Sequence, residues 1–212
     1  MATLLLARHG ETTWNRAGRV QGWAPVSLTE RGREQADALA RHVADSYEVD
    51  RLVSSDIERA QETARPVARE LGLEPVLDSA WRERDVGSFQ GLEFDELTDR
   101  YPQYSLSAVG APAARERPPS GESLVEVRRR VLNAHEGLAD SLDADETVLV
   151  VSHGAPIRLS LGEVKGLDIV ETMLSQSLDN GGICEFEVEL SDDGDEPLVH
   201  VVAENETRFL TA

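Results

Sequence analysis

The chain is short of cysteine, lysine and aromatic residues: it has one Cys, Lys165 is its only lysine, and Phe, Trp and Tyr make up 5% of its 212 residues. One cysteine, Cys184, excludes an internal disulfide, and its place in an apolar run marks it as a small core residue more than a reactive thiol. No apolar stretch approaches the roughly 20 residues that a membrane-crossing helix needs. No charged region followed by a longer apolar stretch and a cleavage site precedes the first strand-like run, so the expectation is a soluble, cytoplasmic protein. Positive charge is scarce too, with 21 Lys+Arg against 40 Asp+Glu and a net charge of −19. Without a long basic stripe to neutralise phosphates, the composition argues against nucleic-acid or anionic-membrane partners. Any anion the protein binds must be held locally. An acidic chain whose cations are nearly all arginine suits a halophilic, salt-loaded cytoplasm, where a Debye length of about 3 Å at 1 M salt screens self-repulsion. An ordinary acidic cytosolic protein is the alternative.

Apolar runs alternate regularly with helical patterns, which gives no point of division, so residues 1–212 read as a single domain. Two of these runs end in the same way. Leu4-Leu5-Leu6-Ala7-Arg8 leads into His9-Gly10, and Val148-Leu149-Val150-Val151-Ser152 leads into His153-Gly154. A continuous apolar run closed by a turn residue reads as a strand buried on both faces. Both imidazoles then lie just past the carboxyl ends of neighbouring parallel strands, where open α/β sheets keep their sites.

The remaining pattern fills in the layers. Strands are expected at 3–8, 51–54 and 147–151, and a terminal hairpin at 182–190 and 198–204 around Ser191-Asp192-Asp193-Gly194-Asp195. Thr29 caps a helix running to about Asp45, in which Ala36, Leu39, Ala40 and Val43 recur at helical spacing. Ser55 and Glu58 form a capping box that opens a helix through Leu71, with Arg59 in its first turn, and Ser123 with Glu126 forms a second before a periodic helix reaching Leu142. Another helix begins near Ala155. From Glu74 to Gly121 the pattern weakens around Pro102, Pro112, Pro118 and Pro119, and only 93–101 looks helical. Long irregular stretches of this kind serve as lids or mobile segments. The fold class expected is a three-layer α/β/α arrangement with a mostly parallel central sheet and helices on both faces.

Three strand ends thus deliver Arg8 with His9, Arg59 on a helix N-terminus, and His153. Two guanidiniums, two imidazoles and exposed helix N–H groups suit a tetrahedral oxyanion, because arginine forks match phosphate oxygens and a helix N-terminus favours negative charge. A neutral imidazole can attack phosphorus and hold the phosphoryl group covalently. Nearby arginines favour that neutral form by charge repulsion. Two ordinary core histidines are the plainer reading, which the paired strand-end positions disfavour. For the acid, the residues alone leave Glu62, Glu83, Glu93 and Glu122 open.

Arg8-His9-Gly10-Glu11-Thr12 with Trp14-Asn15 resembles the signature of the histidine phosphatase superfamily, also called the phosphoglycerate-mutase-like family. Gly18-Arg19-Val20-Gln21-Gly22-Trp23, Leu28-Thr29-Glu30-Arg31-Gly32, the block from Ser54 to Ala64, Glu83 with Gly87 and Gly91, Gly121-Glu122-Ser123 and Val151-Ser152-His153-Gly154 resemble its later blocks, in order. The resemblance implies that His9 is the nucleophile, that Arg8, Arg59 and His153 hold the phosphoryl oxygens with Asn15 assisting, and that Glu83 is the general acid and base. It implies no metal and no cofactor, and a small phosphorylated molecule as the binding partner. Gln21 is a candidate substrate contact or a turn former, and Gly10 and Gly154 are expected to let the backbone approach the phosphate. The family often has Asp where this chain has Pro25 and Pro where it has Ser27, so the leaving-group side is expected to be shaped differently.

The same phosphohistidine serves hydrolases and mutases. A mutase must exclude water and hold a second anionic group with extra cations. The family's mutases resemble one another in a long insertion with a lysine and paired arginines, whereas this chain offers Glu93-Phe94-Asp95-Glu96 and Arg115-Glu116-Arg117-Pro118-Pro119. The reading is a phosphatase of small phosphomonoesters. Arg84, directly after Glu83, looks mutase-like and keeps a bisphosphoglycerate-dependent phosphoglycerate mutase as the alternative, and a phosphate-binding module without turnover would lack a nucleophile or acid that this chain has.

Overall fold

The first apolar run divides its side chains between two cores. In the computed structural model, which describes residues 1–190 and 197–211, strand β1 (Ala2–Arg8) sends Leu4 and Leu6 into one apolar cluster and Leu5 and Ala7 into the other. A strand with period two and apolar residues at every position can only be buried on both faces. Helices supply the cover. After β1 come α1 (Thr13–Arg16), α2 (Glu30–Ser46), β2 (Arg51–Ser54), α3 (Glu58–Leu71) and a short β3 (Val76–Leu77). Then follow α4 (Phe94–Arg100), α5 (Leu106–Val109), α6 (Leu124–Asp140), β4 (Thr147–Ser152), α7 (Gly154–Val164), α8 (Ile169–Ser175), β5 (Ile183–Glu189) and β6 (Leu198–Glu206).

The strand order is β3-β2-β4-β1-β5-β6. The first four strands are mutually parallel, and β5 and β6 add an antiparallel edge. Leu39 and Val43 of α2 and Ala60, Ala64 and Val67 of α3 pack on the Leu5 face. Val127 and Val131 of α6 and Ile157 and Leu161 of α7 pack on the Leu4 face. Each fully buried leucine contributes roughly 1.5–3 kcal/mol. The three layers and the mostly parallel sheet are those the sequence pattern predicts, and Cys184 lies buried in the core. No described helix is long and apolar enough to cross a membrane.

Most expected helix starts hold. Thr29 Oγ1 accepts the Gly32 N–H at 3.0 Å, and Ser123 and Glu126 bond reciprocally. The capping box expected from Ser55 and Glu58 does not form: Ile57 is the N-cap of α3, with no side-chain cap bond. The Ser55 hydroxyl lies instead 2.8 Å from His153 Nε2. Helix α7 begins at Gly154, one residue before the expected start, and Leu142 is buried just beyond the end of α6. Helix α8 was not among the expected elements, although Asp168 accepts from Val170 N and Glu171 N in the manner of a helix cap. The turn Ser191-Asp192-Asp193-Gly194-Asp195 lies outside the described residues.

Candidate active site

Strand register brings the histidines together. Arg8 pairs with Ser152 across β1 and β4, and Ser54 with Val151 across β2 and β4, so His9, Ser55 and His153 leave the sheet at one level. The His9 and His153 rings have centroids 5.1 Å apart. His9 Nδ1 lies 2.7 Å from Gly10 O, a bond that needs the ring proton on Nδ1 and leaves the lone pair on Nε2. Arg59 Nε donates to that Nε2 at 3.2 Å. The same guanidinium reaches back to Gly22 O and Ala24 O, at 2.8 and 3.3 Å, and so ties the polar loop to the pocket.

Burial, then Arg59 and Arg8, hold the His9 imidazole well below its usual range, and burial with Arg59, His9, Arg8 and Arg130 does the same to His153. Both rings are therefore neutral near pH 7. Burial also pushes Arg8 and Arg59 down to about 10, which leaves both cationic at that pH. Arg8 Nη1 donates to Leu178 O, while Arg8 Nε and His153 Nδ1 are buried with no partner among the described residues. A cluster of buried cations and donors with unmet capacity is what an oxyanion would satisfy.

Glu83 lines the same cleft. Its Oε1 accepts the Arg84 N–H at 2.8 Å and its Oε2 the Ala155 N–H, at the N-terminus of α7, at 3.3 Å. A Cβ built on Gly154 would lie 3.8 Å from both Glu83 Oε2 and Arg8 Nε and 3.3 Å from Arg158 Nη1. Glycine there keeps the space between acid and cations open. Gly10 has a packing reason of its own: a Cβ on it would meet Gly32 O at 2.2 Å, so it permits close crossing of the His9 loop and α2.

Asn15 and Gln21 line the same cleft, of about 590 Å³, with Arg8, His9, Arg59 and Glu83. Thr12 ties them together, since its hydroxyl accepts from Asn15 N at 3.1 Å and lies 2.9 Å from Gln21 Oε1. His153 is fully buried beside His9. The outer wall is apolar, formed by side chains such as Phe94, Leu97, Leu106, Met173 and Leu174. No cluster of three or more His, Cys, Asp or Glu side chains suited to a metal occurs among the described residues.

Sequence reasoning passed over several supporting residues. Arg130 donates to Ala80 O, Arg82 O and Glu83 O at 2.7–2.9 Å and pairs with Glu122 at 2.9 Å, which pins the loop carrying Glu83. Asn180 Nδ2 donates to His9 O at 3.0 Å and Asn15 Oδ1 at 3.2 Å, and Gly181 N reaches Arg8 O at 3.1 Å. Arg158 lines the cleft, with its Nε on Gln176 O. These residues act largely on backbone carbonyls, which leave no spacing to read.

Residues 4–199 match the family described as "Histidine phosphatase superfamily (branch 1)". The chain is 37% identical over 168 residues, 79% of its own length and 76% of the relative's, to a protein of Yersinia pestis named "Probable phosphoglycerate mutase GpmB". Among solved structures it is similar to a phosphoserine phosphatase from Entamoeba histolytica in complex with 3-phosphoglyceric acid, with a TM-score of 0.81 and 27% identity over 99% of this chain and 100% of that one. A mycobacterial glucosyl-3-phosphoglycerate phosphatase in complex with VO3 gives a TM-score of 0.77 and 28% identity, over 97% and 99% of the two chains.

Proposed function

The chain belongs to the histidine phosphatase superfamily and is a phosphatase, and from that premise we propose that it hydrolyses small phosphomonoesters through a phosphohistidine on His9. The observation that carries this reading is the division of labour on one ring: Nδ1 is engaged by Gly10 O while the Nε2 lone pair faces Arg59. In the first step Nε2 attacks phosphorus and the P–O bond to the leaving group breaks as Glu83 donates a proton to the departing oxygen. In the second, Glu83 takes a proton from water, the water oxygen bonds to phosphorus, and the P–N bond breaks to release phosphate and restore His9.

Arg8, Arg59 and His153 bind the phosphoryl oxygens, with Asn15 and Gln21 at the edge of the pocket and Gly154 leaving room at the start of α7. Arg59 Nε exchanges its contact with His9 Nε2 for a phosphoryl oxygen as substrate enters. Charge stabilisation of this preorganised kind is most of what phosphoryl transfer asks of a protein. Steady-state hydrolysis of a generic aryl phosphate without added metal tests the proposal. His9→Ala is expected to abolish it, and an alanine variant that keeps the rate would remove His9 as nucleophile.

One observation favours a second reading. Arg84 and Arg158 also line the cleft and offer further cations for a carboxylate on the substrate. A phosphoglycerate mutase would use such cations, and the Yersinia relative bears that name. Conversion of 3-phosphoglycerate to 2-phosphoglycerate, stimulated by catalytic bisphosphate, distinguishes it; none under saturating primer excludes it.

A further inference from the structure

Ser55, the first residue beyond β2, is fully buried, and its hydroxyl caps no helix. Its Oγ accepts the Ile57 N–H at 3.3 Å and lies 2.8 Å from His153 Nε2. The other ring nitrogen of His153, Nδ1, is buried without a partner among the described residues. A neutral imidazole carries a single proton, so the nitrogen that holds it decides whether Nδ1 donates or accepts.

The two arrangements differ in what they leave unmet. With the proton on Nε2, Ser55 Oγ would accept from two donors, its own hydroxyl proton would have no acceptor in a buried position, and Nδ1 would hold an unused lone pair. With the proton on Nδ1, Ser55 accepts from Ile57 and donates to Nε2, and one group alone stays unsatisfied, the Nδ1–H. Each buried unmet polar group is costly, so the second arrangement is favoured and its remaining cost falls on a group that an anion would relieve. That group belongs to the ring packed beside His9, close to the guanidiniums of Arg8 and Arg59.

We infer that Ser55 is a positioning residue that fixes His153 as the Nδ1–H tautomer, so that this histidine serves as a neutral hydrogen-bond donor to a phosphoryl oxygen. The last step rests on the phosphoryl reading of the pocket; the tautomer does not. The serine that sequence spacing assigns to a helix cap is thereby given to the site, which explains why α3 starts without a side-chain cap.

The test combines a spectroscopic signature with a binding measurement on the full chain. Long-range 15N–1H correlation of histidine-labelled protein is expected to show Nδ1 of His153 protonated and Nε2 not. In Ser55→Ala the proton moves to Nε2 in part of the population, and affinity for inorganic phosphate falls on the order of 10–100-fold, as the loss of one oriented donor predicts. Ser55→Thr keeps the hydroxyl and restores both readouts; if Ser55→Ala does not fold, Ser55→Cys, a weaker donor of similar size, takes its place against Ser55→Thr. A wild-type ring protonated on Nε2, or a variant without the hydroxyl that keeps the Nδ1–H tautomer and full phosphate affinity, would overturn the assignment. Wild-type protein with the Nδ1–H tautomer but no affinity for phosphate would overturn the phosphoryl reading and leave the tautomer standing.

Discussion

At the inner end of the cleft His9, Arg59 and His153 are 2%, 1% and 0% exposed, whereas Phe94 and Leu174 on the outer wall are 61% and 55% exposed. The inner groups follow strands of a parallel sheet or sit in the first turn of a long helix, and neighbouring backbone carbonyls and hydroxyls engage their polar atoms. The outer side chains stand on α4 and α8, helices of seven residues each. Such short helices have little stability of their own and depend on what they pack against. On the proposed reading, charge is therefore preorganised where phosphorus would react, and the wall that would meet the leaving group is apolar and half in solvent. Chemistry and selectivity are built on different foundations.

Acid separates the two regions by the largest margin. His9 and His153 are buried neutral, and so is His135, which burial pushes down to about 4 where it packs edge-on against Phe186. In the unfolded chain these rings titrate near 6.5. Between 6.5 and the folded values the unfolded state binds more protons, so stability is full above pH 6.5 and is lost as pH falls through that window. For His135 the window runs from 6.5 down to about 4 and amounts to about 3 kcal/mol. Chemical denaturation at pH 7.5 and 4.5 should show a loss of several kcal/mol, with His135→Leu removing most of His135's own share. A variant as acid-sensitive as the wild type would take His135 out of the account. The exposed outer wall contributes no buried imidazole to this effect.

Arg130 supports the inner region from behind, because its guanidinium holds three carbonyls of residues 80–83 and the Glu122 carboxylate. Its side chain is 20% exposed, so water replaces part of what is lost on truncation. Arg130→Ala is expected to cost about 2 kcal/mol of stability. If the loop is what aims Glu83, kcat for an aryl phosphate falls roughly 10–100-fold while KM changes little, since the phosphoryl ligands remain. Arg130→Lys recovers part of the stability and little of the kcat, because an ammonium cannot present a planar fork to several carbonyls. Unchanged kcat in Arg130→Ala would show that the Glu83 loop holds its shape unaided.

The inner region is also the more legible one, for the same physical reason. Apolar runs that end in His9-Gly10 and His153-Gly154 encode buried parallel strands directly, and strand register then places both rings without further information. Ser55 is misread because a serine three residues before a glutamate carries the same spacing whether its hydroxyl caps a helix or reaches a histidine just past the end of another strand. The packing role of Gly10 is not legible because a glycine beside a site suggests ligand approach, while the structure sets it against Gly32 on α2. Asp168 with Glu171 three residues later did carry a capping signal for α8, and Asn180 and Arg130, which grip backbone, carried none. Between Glu74 and Gly121 short helices and single 3₁₀ turns depend on tertiary contacts, so local periodicity is faint there.

The smallest effects are expected from the outer wall, and they test whether it is independent of the pocket. Phe94 and Leu174 are more than half exposed, so Phe94→Ala and Leu174→Ala should change stability by less than about 1 kcal/mol. Both line the cleft, so KM for an aryl phosphate with a bulky leaving group should rise about two- to fivefold with kcat nearly constant, as loss of uniform binding requires. Inhibition by inorganic phosphate should stay as it is, since on the proposed reading phosphate needs only Arg8, Arg59, His153 and the start of α7. Parallel weakening of phosphate inhibition would mean that α4 and α8 close over the pocket and shape it. The inner and outer regions would then be one cooperative unit, with preorganisation extending to the leaving-group wall.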